Sequence, residues 1–344
     1  MNAAAKVFDG ENKYIRITDI DEKTSEYISD EPVSPDGVLS DEYLVTEGDI
    51  LFARTGASTG KTYLYSPKDG KLYYAGFLIK ASVKDCFNPY FIFYQTKTQS
   101  YHKWVEVMSA RSGQPGINSQ EYASFPLFVP TNAEQNKIAK LLSVIDERIR
   151  VQSKIIEEQE TLLKSLADKL FRSNNHSCQL SELVGIIKGK QLNTDMLSEE
   201  GDYYVMNGGI TPSGYFSEYN VPAGVISISE GGNSCGYVQF NEEPFWSGGH
   251  CYSLRSKNTI VDYKYIYYFL KAKQTDVMAL RIGSGLPNIQ KKDIEKFTVS
   301  FPPLQQQKQF VNALDAVSAK IDTGKWLLEK YRQQKDYLLS RMFI

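Results

Sequence analysis

The sequence has little that would support metal, disulfide or membrane chemistry. It contains four cysteines and three histidines in 344 residues, and no two cysteines are separated by only two residues. Zinc ligands usually come in such close pairs, so we expect neither a metal site nor a disulfide framework. No run of about 18 apolar residues is present, and the first residues lack an apolar signal core. These features predict a cytoplasmic protein without a membrane span.

The sequence also lacks an excess of charge of either sign. Its 39 Lys and Arg residues nearly balance 41 Asp and Glu residues, which gives a net charge of -2. This balance excludes a globally basic nucleic-acid binder but leaves room for a local basic surface. With 42% hydrophobic and 23% charged residues the chain has a globular composition, and its length suits two or three domains.

What the sequence does contain is an internal repeat at about half its length. Four segments of the first half align, in the same order, with four segments of the second half, at shifts of 172 to 176 residues. One such alignment would be weak evidence, but four in order indicate two copies of one domain plan with small loop insertions. The aligned pairs are 48–60 with 224–236, 88–94 with 262–268, 112–117 with 284–289 and 125–130 with 297–302.

Each copy has the same predicted plan. Alternating apolar residues between Gly and Pro predict a strand-rich region, and Asn88 and Asp262 are typical caps of a short helix. A further turn and strand end at Pro130 or Pro302, and each leads into a long helix. The sequence therefore predicts an α+β fold with two tandem domains. The expected boundaries are 1–130 and 174–302 for the domains, and 131–173 and 303–344 for the helices.

The two long helices carry apolar residues at alternating spacings of four and three. This period is typical of a coiled coil, and the order of the domains along the chain requires the paired helices to run antiparallel. The expected product is a rod with a domain at each end and a pseudo-two-fold axis, and the alternative is that each helix packs only on its own domain. The predicted seam is Leu142, Ile145, Ile149, Ile156, Leu163, Leu166, Leu314, Val317, Ile321, Leu328 and Leu338.

One glycine-rich segment is similar to a phosphate-binding loop but fails the pattern. Gly56 and Gly60 are followed by Lys61, yet three residues separate the glycines where the motif needs four. The second copy has Tyr237 in place of the lysine. The pattern favours a turn between two strands, which either contacts a DNA phosphate or only connects the strands.

Loops at repeated positions combine Gly with Arg, Lys, Ser, Gln and Asn. These side chains bond phosphates and base edges, so the loops are candidate DNA contacts, although any single residue could simply be solvated. The first-copy candidates are Arg54, Thr55, Ser58, Lys61, Arg111, Gln114 and Asn118. The second-copy candidates are Lys190, Glu230, Asn233, Ser234, Tyr237, Arg281, Ser284, Asn288 and Gln290.

With these motifs in order, nearly the whole chain resembles the specificity (S) subunit of type I restriction-modification systems. The residues that carry the resemblance are 48–56 with Gly60, 125–130 and 134–138 in the first copy, and 201–205, 214–216, 231–232 with Gly236, 302–308 and 338–343 in the second. The resemblance implies a non-catalytic subunit in which each domain reads one half of a split, asymmetric site in double-stranded DNA. The helices would act as a spacer and dock two methyltransferase subunits, and the complex would recruit restriction subunits.

The resemblance implies no cofactor for this chain, since S-adenosylmethionine, Mg²⁺ and ATP would belong to the partner subunits. One departure is that the second copy opens with 178–189, whereas the first begins almost directly at 14–17, which matches 203–206. Whether another chain completes the shorter first domain stays open. The alternatives are a coiled-coil adaptor that does not bind DNA and a nucleotide-binding enzyme that uses Lys61.

Overall fold

The computed structural model describes residues 1–28, 30–110, 114–172, 176–283, 285 and 287–343. These residues form two compact units, one made of Met1–Ser153 with Trp326–Ile344 and the other of Lys154–Lys325. Both units combine small sheets with helices, which confirms the predicted α+β class. None of the helices in the described ranges is both long enough and apolar enough to cross a membrane.

In the described residues of the first unit, eight strands and three short α-helices precede the first long helix. Its strands form a pair β1-β3, a three-stranded sheet β2-β7-β4 and a three-stranded sheet β6-β5-β8. The strands are β1 (Ala4–Val7), β2 (Lys13–Ile15), β3 (Val33–Asp36), β4 (Leu44–Val45), β5 (Asp49–Ala53), β6 (Thr62–Leu64), β7 (Leu72–Tyr74) and β8 (Leu78–Ser82). The helices are α1 (Pro89–Gln95), α2 (Gln99–Ser109), α3 (Ser119–Ala123) and the long α4 (Asn132–Leu170).

The second unit repeats this order and adds strands. Its sheets are β10-β16-β13-β14, β12-β11-β15 and β17-β9. The strands are β9 (His176–Gln179), β10 (Val184–Lys188), β11 (Tyr203–Met206), β12 (Tyr215–Phe216), β13 (Val225–Ser229), β14 (Val238–Asn241), β15 (Trp246–Ser247), β16 (Cys251–Ser256) and β17 (Thr298–Phe301). The helices are α5 (Leu180–Leu183), α6 (Tyr263–Ala272), α7 (Gln274–Ala279), α8 (Lys291–Glu295) and the long α9 (Leu304–Met342).

The repeat seen in the sequence is also a repeat of structure. The strands β5, β6 and β8 correspond to β13, β14 and β16, and the helices α1, α2 and α3 correspond to α6, α7 and α8. The predicted helix caps are confirmed, because Asn88 Oδ1 accepts the N–H of Phe91 and Asp262 Oδ1 accepts the N–H of Tyr265, each at 3.1 Å. The predicted strand before Pro130 is wrong, because 126–130 has no strand partner among the described residues, whereas β17 pairs with β9.

In the first unit the ends of the two long helices pack against each other and on α1. Leu142 is fully buried against Tyr94 and Leu339. Asp146 accepts a hydrogen bond from the Tyr94 hydroxyl at 2.8 Å, and its other oxygen lies 2.6 Å from Lys335 Nζ. Because contacts move forward along α4 as they move backward along α9, the two helices run antiparallel here, as predicted.

The second unit contains the other halves of the same two helices. Leu163, Leu166, Phe310 and Leu314 belong to one apolar core with the helix α6, and Lys325 Nζ lies 2.6 Å from Glu160 Oε1. All eleven predicted seam residues are buried or half-buried. The periodicity of the sequence therefore located the inward faces of both helices.

The exposure of neighbouring leucines gives a direct test of this packing. We expect Leu142→Ala to lower the free energy of unfolding by about 2–5 kcal/mol, because it removes a fully buried side chain and leaves a cavity. The control is Leu141→Ala, since Leu141 is 42% exposed, and it should change stability by less than about 0.5 kcal/mol. Urea denaturation of both variants measures the difference, and equal midpoints would contradict the described packing.

Candidate nucleic-acid interface

In the second unit two of the predicted contact loops lie side by side. The loop after β13 and the segment before α8 are joined by backbone hydrogen bonds. Ile289 N–H donates to Glu230 O at 2.8 Å, and Gly232 N–H donates to Pro287 O at 3.0 Å. A bridge between Gly231 and Asn288 completes the contact. One continuous loop surface therefore carries candidates from both segments.

The first unit has the same arrangement at the repeated positions. Ile117 N–H donates to Arg54 O and Gly56 N–H donates to Pro115 O, each at 2.9 Å, and Thr55 forms a bridge with Gly116. The backbone scaffold is thus the same in both units, while the side chains on it differ.

A tightly packed glycine fixes the turn within each loop. Gly60 and Gly236 have φ values of 90° and 86°, in the left-handed region that favours glycine. A Cβ on Gly60 would lie 2.5 Å from Val105 Cγ1 on α2, and one on Gly236 would lie 2.8 Å from Met278 Cα on α7. Each of these glycines therefore belongs to a strand-to-strand turn that packs on a helix. The side chain of Lys61, which follows Gly60, is only 24% exposed.

The first-unit candidates differ in how far they face outward. Arg54 and Gln114 are exposed, whereas Thr55, Ser58 and Lys61 are half-buried. Asn118 is exposed, but its Oδ1 accepts the N–H of Glu121 at 2.9 Å and caps α3. Arg111 lies outside the described residues.

The second-unit candidates form a similar mixture. Lys190, Asn233, Arg281 and Asn288 are exposed. Ser284 lies outside the described residues. Ser234, Tyr237 and Gln290 are half-buried. Lys271 Nζ lies over the Tyr237 ring, 3.8 Å from its centroid, in a cation–π contact.

Glu230 differs from the expectation of an outward-facing contact. It is buried, and its Oε1 accepts hydrogen bonds from Lys188 Nζ at 2.6 Å and from the Tyr252 hydroxyl at 2.7 Å. Burial and the bond to this carboxylate raise the pKa of Tyr252 above its ordinary value. Glu230 Oε2 lies 3.6 Å from His250 Nδ1 and has no hydrogen-bond partner among the described residues. Glu230 therefore holds the base of the loop through Oε1, whereas Oε2 makes no hydrogen bond among the described residues.

Sequence reasoning missed two exposed residues beside these loops. Glu230 N–H donates to His250 O at 2.9 Å, and at the repeated position Arg54 N–H donates to Phe77 O at 3.0 Å. Phe77 is 61% exposed, and the side chain of His250 is exposed to the same extent. Extending the repeat alignment to these residues could have found them, because each follows a glycine and precedes a paired strand.

Among the residues that the structure describes, no group of three or more His, Cys, Asp or Glu residues could hold a metal ion. Cys251 is buried beside the loops, and loss of solvation raises the pKa of its thiol to about 11. A neutral buried thiol is neither a good nucleophile nor a free metal ligand.

Comparison with known proteins points to one family. The family model described as type I restriction modification DNA specificity domain matches residues 1–161 and 173–330. A protein of Mycoplasma pneumoniae named as a type I specificity subunit is 30% identical over 166 residues, which cover 48% of this chain and 44% of that protein. The match thus spans less than half the length of that relative.

Two further similarities cover more of the chain. A protein of Methanocaldococcus jannaschii named as a type I restriction enzyme specificity subunit is 23% identical over 337 residues, covering 87% of this chain and 78% of that one. The crystal structure of a type I restriction-modification system S subunit from M. genitalium matches with a TM-score of 0.73 and 21% identity, covering 100% of this chain and 93% of that one. The structural match shows a shared fold.

The glycine geometry leads to a stability test. Gly236→Ala and Gly224→Ala both place a side chain at a left-handed φ, but only the first also meets other atoms, since nothing lies within 4 Å of a Cβ on Gly224. We expect Gly236→Ala to lower the free energy of unfolding by about 1–3 kcal/mol more than Gly224→Ala, because it forces α7 away from the turn. Equal losses in thermal or urea denaturation would contradict the close packing of the turn on α7.

Proposed function

Because the chain belongs to the family of type I restriction-modification DNA specificity domains, we propose that it is the subunit that reads DNA sequence for such a system. In this proposal it binds double-stranded DNA without carrying out a reaction, and each unit contacts one half of a bipartite, asymmetric site. The methyl donor, Mg²⁺ and ATP bind to partner subunits.

The observation that carries this proposal is a constant scaffold with different side chains. Both units form the same backbone bonds between two loops, yet Asn288 occupies the position of Gly116 and His250 that of Phe77. A difference in charge and shape at equivalent positions is what two readers of different half-sites require. A protein that only held other proteins together would have no need for it.

The exposed residues suit the two kinds of DNA contact. Arg54, Lys190 and Arg281 offer cationic groups for phosphates, which set affinity and position without reading bases. Gln114 and Asn288 have amides with both a donor and an acceptor, which is the pattern that reads base edges in the major groove. Asn233, on the glycine-rich turn, has the same amide chemistry.

The long helices offer a surface for methyltransferase subunits. In the first unit Leu141, Val144 and Val151 are large apolar residues on α4, each more than 40% exposed. They lie outside the seam that faces α9, and apolar residues exposed along one helix are typical of a protein interface. We assign this surface to one methyltransferase subunit, with a second on the other unit and restriction subunits added to that complex.

Substitution of single loop residues tests the DNA proposal. We expect Arg54→Ala to weaken binding to all sequences alike and to reduce the slope of log K against log salt by about 0.9, the value for one lost phosphate contact. We expect Asn288→Ala to weaken the free energy of binding to the specific site by about 1–3 kcal/mol and to relax the preference for one base at one position.

The measurements are gel shifts of the assembled complex over a series of salt concentrations and with substituted sites. The control is Lys6→Ala, because Lys6 is also exposed but lies on β1, which pairs with β3 and not with the loops. If the Arg54 and Asn288 variants bound like the control, this surface would not be the DNA-binding one.

Charge placed on the exposed apolar surface tests the partner proposal. We expect Val144→Asp with Val151→Asp to reduce co-purification with a methyltransferase subunit by about tenfold or more, because docking would bury two unpaired carboxylates. Stability should change little, since both side chains are exposed. Replacement of the exposed Val107 and Val38 by Asp is the control. If the Val144→Asp, Val151→Asp variant co-purified with the methyltransferase subunit as well as the unchanged protein does, the docking surface would not be on this face of α4.

A further inference from the structure

A buried carboxylate in the second unit has one oxygen without a hydrogen-bond partner. Glu230 is 7% exposed. Its Oε1 accepts hydrogen bonds from Lys188 Nζ and the Tyr252 hydroxyl, whereas its Oε2 has no hydrogen-bond partner among the described residues. A buried carboxylate oxygen that bonds to nothing lowers stability, so its place in a candidate contact loop calls for a functional explanation.

The imidazole of His250 is the group that faces this oxygen. Its Nδ1 lies 3.6 Å from Glu230 Oε2, while 61% of the histidine side chain is exposed. A carboxylate beside one ring nitrogen favours a proton on that nitrogen, which leaves Nε2 available to a group outside the protein. The ring therefore connects a buried negative charge to the exposed surface of the loops.

The backbone of His250 is held on both sides. Its N–H donates to Asn207 Oδ1 at 3.1 Å, and its carbonyl oxygen accepts the N–H of Glu230 at 2.9 Å. A Cβ on Gly208 would lie 3.2 Å from the Cβ of His250, so glycine allows this close approach. The base of the histidine side chain is thus in place before any ligand binds, which lowers the entropic cost of a contact.

The neighbours of this ring keep their charge state near neutral pH. Burial raises the pKa of the Cys251 thiol to about 11, and burial together with the bond to Glu230 raises the pKa of the Tyr252 hydroxyl. Lys188 Nζ lies 2.6 Å from Glu230 Oε1, so these two opposite charges compensate each other. The charged and titratable side chains around Glu230 and His250 are Lys188, Cys235, Cys251, Tyr252 and Arg281.

Protonation of His250 would therefore change the charge of this surface. Histidine is the side chain that ordinarily gains or loses its charge between about pH 5 and pH 8. Burial raises the pKa of the Cys235 thiol as well, and arginine stays charged throughout this range. One added proton on the imidazole thus adds one positive charge beside Glu230.

The first unit offers a comparison within the same chain. Phe77 occupies the position of His250, since the Arg54 N–H donates to Phe77 O as the Glu230 N–H donates to His250 O. Phe77 is also 61% exposed, but its side chain has no titratable group. An effect that depends on a proton at this position is therefore confined to the second unit.

We propose that protonated His250, held by Glu230, donates a hydrogen bond to DNA in the half-site of the second unit. The acceptor is a phosphate oxygen or the N7 atom of a purine, both of which accept from cationic donors. Glu230 is a positioning residue, because its carboxylate contacts the imidazole and not the DNA. The inference rests on the proposed function and deepens it, since it assigns a proton-dependent contact to one of the two half-sites.

The pH dependence of DNA binding tests the inference. The assembled complex is titrated against a fluorescent duplex that carries the site it modifies, at constant ionic strength. We expect the unchanged complex to lose up to about tenfold more affinity between about pH 6 and pH 8 than the His250→Phe complex, because only the former loses a charge-assisted hydrogen bond. His176→Phe, at an exposed histidine on β9 of the same unit, is the matched control and should behave like the unchanged complex.

Glu230→Gln tests the positioning role. Glutamine keeps an oxygen that accepts from Lys188 and Tyr252 but removes the negative charge beside His250. The change of affinity with pH should therefore be smaller than in the unchanged complex. Urea denaturation checks that this variant folds, and His250→Phe provides a test at an exposed position if it does not.

Modified duplexes identify the acceptor. Methylphosphonate linkages in the half-site of the second unit remove phosphate charge, and 7-deazapurines remove N7, so one of them should abolish the difference between the unchanged and His250→Phe complexes. The inference is overturned if those two complexes show the same pH dependence, if His176→Phe has the effect of His250→Phe, or if neither modification abolishes the difference. Failure of the unchanged complex to bind the duplex at any of these pH values would instead overturn the proposed function itself.

Discussion

A buried glutamine at the start of each long helix fixes that helix to its own unit. Gln135 Oε1 accepts the N–H of Asn88 at 3.0 Å, and its Nε2 donates to Pro130 O at 2.9 Å. Gln307 makes the same two bonds, to Asp262 N–H at 2.7 Å and to Pro302 O at 2.8 Å. Loss of the glutamine would leave buried backbone groups without a hydrogen bond, and each such group would lower the free energy of unfolding by about 1–3 kcal/mol. The start of each long helix is therefore held to the short helix of the same unit by one buried amide.

The hydrogen bonds of this glutamine belong to the part of each unit that repeats, whereas the side chains on the loops differ between the units. The same short helix that the glutamine holds is followed by α2 or α7, which packs under the glycine turn at Gly60 or Gly236. In each unit the two candidate contact loops are joined by backbone hydrogen bonds at the same repeated positions. The path of the loop backbone therefore does not depend on the side chains that it carries. Arg54 and Glu230 can therefore stand at one backbone position in the two units without a change of fold. Under the proposed function, a frame of this kind would let the DNA sequence that is read change while assembly stays the same.

The sequence alone predicted the elements that depend on local pattern. The repeat, the caps at Asn88 and Asp262 and the inward faces of α4 and α9 all follow from spacing and residue type, and the structure has them. It did not predict the burial of Glu230, because the partners Lys188 and Tyr252 come from strands far apart in sequence. The strand expected before Pro130 does not form because a strand needs a partner, and none of the described residues of the first unit pairs with 126–130 as β9 pairs with β17. Side-chain pattern indicates a strand, but pairing decides whether it forms.

Exchange of one whole recognition unit tests the central claim that two similar frames read two independent half-sites. Residues 176–301 would be replaced by the equivalent segment of a relative with a different specificity, with both long helices kept. The modified DNA sequence of the assembled complex would then be determined by sequencing. The account predicts that one half of the recognised sequence changes to that of the relative while the other half and the assembly remain. A change in both halves, or in neither, would contradict it.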